Sequence, residues 1–198
     1  MKIGLFFGSF NPVHKGHLGV AQYCLQHTDL QAIWMVMSPH NPHKKADDLM
    51  PQNLRWARLQ AALQDIALPI EACDVELQLP TPSYTITTLQ ALSTAYPQHQ
   101  FCIIMGADNL AGIDKWKNSE QILQQYPIFV YPRVGFDAAR LCEQYHAHFL
   151  DAPRIDISAT QIREALKAGQ DMSQWLLAFI LVVWINLCNR LSLCCTYL

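Results

Sequence analysis

The chain has little charge and no field of one sign: 14 lysines and arginines stand against 16 aspartates and glutamates in 198 residues. That balance excludes a broad basic surface for duplex nucleic acid or an anionic membrane, so any recognition of phosphate has to be local. Framework cysteines are also lacking. Cys24, Cys73, Cys102 and Cys142 stand singly in apolar surroundings, which excludes both the even disulfide lattice of a small secreted fold and the paired spacing of a zinc site. They read as buried, reduced thiols. No internal repeat or low-complexity linker interrupts residues 1–171, and Met1-Lys2-Ile3-Gly4 passes straight into a strand-like run without a leader pattern. The expectation is a cytoplasmic chain with one domain over residues 1–171, long enough to bury a sizeable core.

What is present is alternation. The runs at 2–8, 32–38, 70–77, 101–106 and 127–132 are strand-length and rich in Ile, Val and aromatics. Between them, residues 16–27, 53–65, 84–96 and 136–146 carry apolar residues at helical spacing. The first and fourth runs show almost no polar alternation, which predicts burial on both faces of a parallel sheet covered by helices. The fold class is therefore α/β: a doubly wound, mostly parallel sheet with helices on both faces. Such sheets bind ligands beyond the carboxyl ends of their strands, which places the chemistry after residues 8, 38, 106 and 132.

The stretch "GSFNPVHKGH" (8–17) occupies the first of those places. Gly8 and Ser9 end a strand, Asn11-Pro12 forces a turn, and a helix starts near Lys15-Gly16, so His14 and His17 bracket its first turn beside free backbone N–H groups. Anions suit that position. Two imidazoles that donate to phosphate oxygens add to it, whereas a pair of core histidines would have to be satisfied one by one. A metal pair is the weaker reading. "HNPH" (40–43) repeats the spacing, but nothing nearby supplies thiolates or a carboxylate at ligand distance in sequence.

Five motifs together resemble one family. "GSFNPVHKGH" resembles the signature of the nucleotidyltransferase superfamily with the H-x-G-H motif. "SPHNPHKK" (38–45), "PSYTITTL" (82–89), "GADNLAGIDKW" (106–116) and "ISATQIREAL" (157–166) resemble, in order, four further segments of the nicotinate-nucleotide adenylyltransferases. The resemblance implies a Rossmann-like nucleotidyltransferase fold. It also implies adenylyl transfer from ATP to nicotinate mononucleotide, giving nicotinate adenine dinucleotide and pyrophosphate in NAD biosynthesis, with Mg2+ accompanying ATP. Nicotinamide mononucleotide, a phosphopantetheine-type acceptor and a catalytically silent nucleotide-binding domain are the alternatives. No nucleic-acid or membrane partner is expected, and the sequence leaves room for an oligomer.

The resemblance also distributes roles. It assigns His14 and His17 to the ATP phosphates, with His17 nearest the transferring group, and gives Gly8, Ser9 and Phe10 the backbone approach to the nucleotide. Ser158, Thr160 and Arg163 meet ATP phosphates, a reading that Ser158 as a helix cap does not by itself require of Arg163. Arg133, in "YPRV", is a candidate for an adenine or phosphate contact. Asp108, preceded by Gly106, is either an acceptor for ribose hydroxyls or a helix cap. Lys44, with Asn41 and His43 on the same loop, is either a catalytic cation for the mononucleotide phosphate or a solvated lysine. Trp116 either stacks on the pyridine ring or packs as a semi-buried aromatic, and Thr85 either offers donors to the ring's carboxylate or caps a helix.

One segment departs from the pattern. Residues 172–198 form an atypical apolar tail, with "WLLAFILVVWI" (175–185) uncharged and only Arg190 charged after it. The run is too short for a membrane span and apolar on every side, unlike a terminal surface helix. It reads as a frameshift near residue 174 that replaces the native end.

Overall fold

The first strand, β1 (Lys2–Gly8), lies in the middle of the sheet, and its composition accounts for that place. Ile3 and Leu5 turn to one apolar layer and Phe6 to the other. Gly4 sits between crowded neighbours: a Cβ there would stand 2.7 Å from Ile104 and 2.9 Å from Ile33 and Leu30. The structure, a computed structural model, describes residues 1–39, 49–153 and 157–176. Within those residues β1 is joined by β2 (Ala32–Met37), β3 (Ile70–Cys73), β4 (Gln100–Gly106), β5 (Ile128–Tyr131) and β6 (His148–Phe149). All pair in parallel, in the order β3-β2-β1-β4-β5-β6.

Alternation along the strands divides the core in two. Ile33, Met35 and Met37 of β2, with Ile104 of β4, face α1 (Lys15–His27) and α2 (Gln52–Leu63), which contribute Val20, Ala21, Cys24, Leu59 and Ala62. Val36, Phe101, Ile103 and Met105 face the opposite layer. Its helices are α4 (Thr85–Ala95), α5 (Ala107–Leu110), α6 (Ser119–Gln125) and α7 (Ala138–Tyr145), with α3 (Val75–Gln78) leading into α4. Helices on both faces bury both sides of the strands, which is why the central ones carry so few polar residues. The doubly wound fold class read from the sequence is the one observed. Successive strands are added outward in opposite directions from the β1/β4 pair, so the crevice beyond Gly8 and Gly106 is the switch point where such sheets take ligands.

Two local expectations change. The strand expected over 70–77 ends at Cys73, and residues 75–78 form the turn of α3. The reason is Glu76, 3% exposed, whose carboxylate accepts from the Ser83 hydroxyl at 3.2 Å and the Thr88 hydroxyl at 2.8 Å. A straight strand would not bring it to both. The short helices α5 and α6 and the edge strand β6 had no signal of their own in the sequence pattern.

Packing continues past residue 171. Met172 and Leu176 are buried against Ile162 of α8 (Ala159–Lys167), with Trp175 beside them. The Trp175 carbonyl accepts a hydrogen bond from the Lys15 N–H at 2.9 Å. Residues 177–198, most of the stretch that the frameshift reading covers, lie outside the described residues. No helix among the described residues is long and apolar enough to cross a membrane.

Candidate active site

The turn after β1 places the two histidines. Phe10 adopts φ 43°, a left-handed conformation uncommon for a residue with a side chain. Gly8 makes room for it, since a Cβ at residue 8 would lie 2.9 Å from the Phe10 ring. His14 is then the N-cap of α1. Its Nδ1 accepts from the Gly16 N–H at 3.1 Å, and the His14 N–H donates to His17 Nδ1 at 3.3 Å, a reciprocal capping box built from imidazoles. The rings lie against each other, tilted by 39° with centroids 3.8 Å apart.

This arrangement corrects the expectation of free N–H groups at the helix start. Lys15 N–H goes to Trp175, Gly16 N–H to His14 Nδ1, and His17 N–H to the His14 carbonyl at 2.9 Å. What the helix offers an anion is therefore side-chain hydrogen. A ring nitrogen that accepts carries no proton, so both imidazoles hold theirs on Nε2, an assignment made from the hydrogen bonds. Burial, with a smaller contribution from the Arg133 guanidinium in the same direction, pushes the His14 pKa down to about 4. His14 is a neutral donor at physiological pH. Phe6 and Phe10 flank His17, with ring centroids 5.9 and 5.1 Å away.

Opposite the histidines stands the end of β5. Arg133 lies over the Tyr131 ring, its carbon 5.0 Å from the centroid, and Nη2 donates to the Tyr131 hydroxyl at 3.3 Å. Its Nε is 3.6 Å from Asp108 Oδ1, and this buried atom makes no hydrogen bond among the described residues. Asp108 is the second residue of α5, whose N-cap is Gly106, so the capping alternative does not hold. Gly106 is required by that pair: a Cβ there would collide with Asp108 Oδ1 and stand 3.0 Å from Arg133 Cγ. Phe6, His14, His17, Tyr131, Arg133 and Ile157 line one common cleft.

The helix α8 closes a third side. Ser158 is its N-cap, in a capping box with Gln161. Arg163 Nη1 donates to the Asn11 carbonyl at 2.9 Å and Nη2 to the Thr160 hydroxyl at 3.4 Å. The structure thus joins Gly8, Ser9, Phe10, His14, His17, Gly106, Asp108, Arg133, Thr160 and Arg163 around one end of the sheet. Thr85 and Trp116 lie elsewhere, in the layer of α4. Thr85 opens α4, with Tyr84 rather than Thr85 at the N-cap. Lys117 Nζ lies 4.5 Å from the Tyr84 ring centroid, which brings the two segments together. Trp116 is half-buried against the core, so it is less detached than its polar neighbours suggest. Asn41, His43 and Lys44 lie outside the described residues.

Two charged residues escaped the sequence reading. Arg55, 1% exposed, reaches from α2 to four backbone carbonyls: Nη1 to Ser9 at 2.8 Å and Ser38 at 2.9 Å, Nη2 to Pro39 at 2.8 Å, and Nε to Met50 at 3.1 Å. Burial lowers its pKa from the usual guanidinium value. The signal was there: Arg55 and Arg58 occupy the same buried face as Leu59, Ala62 and Leu63, where unpaired charge is rare. Glu76 is the second, a carboxylate within the alternating "DVELQL" stretch.

No group of three or more His, Cys, Asp or Glu side chains suited to a metal occurs among the described residues. The two Nε2–H groups suit phosphate oxygens.

Comparisons with known proteins converge. The model of the cytidylyltransferase-like family matches residues 5–165. The chain is 46% identical over 167 residues to the probable nicotinate-nucleotide adenylyltransferase of Cytophaga hutchinsonii, covering 84% of this chain and 86% of that one. To the protein of the same description from Flavobacterium johnsoniae it is 43% identical over 174 residues, covering 87% and 90%. The fold matches that of the Plasmodium falciparum nicotinic acid mononucleotide adenylyltransferase complexed with NaAD, with a TM-score of 0.80 over 94% of this chain and 96% of that one at 16% identity.

Proposed function

The chain belongs to the nicotinate-nucleotide adenylyltransferases, within the cytidylyltransferase-like family, and on that premise we propose that it transfers the adenylyl group of ATP to nicotinate mononucleotide. A phosphate oxygen of the mononucleotide attacks the α-phosphorus of ATP, a new P–O bond forms, and the bond to the β-phosphate breaks to release pyrophosphate. The nucleophile is already an anion. Catalysis is then positioning and stabilisation of charge on the transferring group.

The observation that carries the reading is the imidazole capping box. By committing both Nδ1 atoms to the backbone, it fixes His14 and His17 as Nε2–H donors in the cleft they line. Such donors do not have to reorganise as charge develops. Arg133 and Arg163 supply charge from two other sides, and their fork geometry suits phosphate. Asp108 takes the ribose hydroxyls in this reading. On the other layer Trp116 offers a face to the pyridine ring and Thr85 a helix start to its carboxylate. Asn41, His43 and Lys44 take the mononucleotide phosphate in this reading. Mg2+ enters as part of the substrate, held on the ATP phosphates and by water. The reaction takes place in the cytoplasm, in keeping with four free thiols at Cys24, Cys73, Cys102 and Cys142.

The test is purified protein with ATP, Mg2+ and either nicotinate or nicotinamide mononucleotide, following dinucleotide and pyrophosphate. Dinucleotide from the acid, with much less from the amide, is expected. His17→Ala should cost about 3–4 kcal/mol of barrier while leaving substrate binding nearly intact. Near wild-type turnover in that variant would remove His17 from the chemistry.

A further inference from the structure

We propose that Arg55 is a positioning residue that ties the phosphate turn after β1 to residues 38, 39 and 50 on either side of residues 40–48, so that the two substrates meet in line. The proposal rests on the adenylyltransferase reading. Its ground is the set of acceptors. Ser9 belongs to the turn that carries Phe10 and leads to His14. Ser38 and Pro39 precede the segment 40–48, and Met50 follows it. One buried guanidinium therefore grips the ATP-side turn and both roots of the segment assigned to the mononucleotide. Asn11 adds a direct strut between them, its Oδ1 accepting from the Met50 N–H at 3.3 Å.

The grip on Ser9 has a second effect. In a trans peptide the carbonyl and the following N–H point in opposite directions, so anchoring the Ser9 carbonyl on Arg55 turns the Phe10 N–H away from the core. Phe10 holds its left-handed φ of 43° only because the surroundings over-determine it. Arg55 is one of those constraints. Lysine cannot substitute, since a single ammonium offers three donors from one point, whereas the guanidinium spreads five over a plane.

Arg55 touches neither substrate in this account, so its loss should separate turnover from binding. In Arg55→Lys we expect kcat to fall about 100-fold, the scale of a misalignment near 1 Å, with KM for each nucleotide changed only a few-fold. Amide hydrogen exchange at Phe10 and Met50 should speed up together, with that of Leu89 in α4 unchanged. In Arg55→Ala, prepared and assayed with methylguanidine, turnover should recover in a dose-dependent way, and methylamine should not replace it. That variant also serves if Arg55→Lys does not fold. Wild-type kcat in folded Arg55→Lys, faster exchange at only one of the two amides, or a fold restored by methylguanidine without turnover would each overturn the proposal. If the wild-type protein forms no dinucleotide, the adenylyltransferase reading fails, and the paired exchange rates still decide whether Arg55 couples the loops.

Discussion

Acidification should destabilise this protein through His14, by an amount that the structure sets. An exposed imidazole titrates near 6.5, whereas His14, 4% exposed and facing the positive field of Arg133, is held at about 4. The gap corresponds to about 3 kcal/mol in favour of the neutral ring. Above pH 6.5 both folded and unfolded chains carry the neutral form, and the full stability is present. Between pH 6.5 and 4 the unfolded chain binds the extra proton, so stability falls as pH falls, by up to about 3 kcal/mol, and below pH 4 this contribution levels off. Other groups titrate in the same window, so the comparison is with His14→Asn, which keeps a short side-chain acceptor for the cap but does not ionise. Urea unfolding free energies at intervals from pH 7.5 to 4 should drop more steeply in the wild type, by about one proton's worth of slope. Parallel curves for the two proteins, or a His14 resonance that titrates near 6.5, would refute the burial argument and the neutral Nε2–H donor drawn from it.

Trp116→Ala should raise KM for the pyridine mononucleotide and leave that for ATP nearly unchanged in steady-state kinetics, because stacking is made before and during transfer; equal weakening of both would mean that the half-buried indole supports the loop and not the ligand. Ending the chain after Ser173 should cost about 2–4 kcal/mol in urea unfolding relative to ending it after Leu176, since the shorter form loses the buried Leu176 side chain and the carbonyl that caps Lys15. Identical stability in the two would show that residues 174–176 add nothing to the packed layer.

Much of the fold was legible because its signals are contiguous. Residues 2–8 and 101–106 are too uniformly apolar to be half-exposed strands, and the spacing of His14 and His17 around a helix start could be read within ten residues. The reading failed where partners come from far along the chain. No local pattern tells that the Lys15 N–H is taken by Trp175, and a helix start read locally looks open. Arg55 makes its bonds to backbone carbonyls, which leave no trace in residue type. At 74–78 the apolar alternation does run on, but the buried Glu76 carboxylate binds Ser83 and Thr88 and bends the chain into a turn. Helix α6, "SEQILQQ", buries only Ile122, too little for a period to emerge.

The strand order has a consequence for synthesis on the ribosome. The central strand β1 emerges first, and β2, β3 and Arg55 with all four of its carbonyls follow within the first 73 residues. One wall of the crevice can therefore assemble early, from contacts of short sequence separation. The other wall waits for β4, and Arg163 meets Asn11 across 152 residues, with Trp175 later still. A nascent chain that has made the histidine turn has no closed phosphate site until nearly all of the described sequence is out, so nucleotide affinity would report completion of the fold.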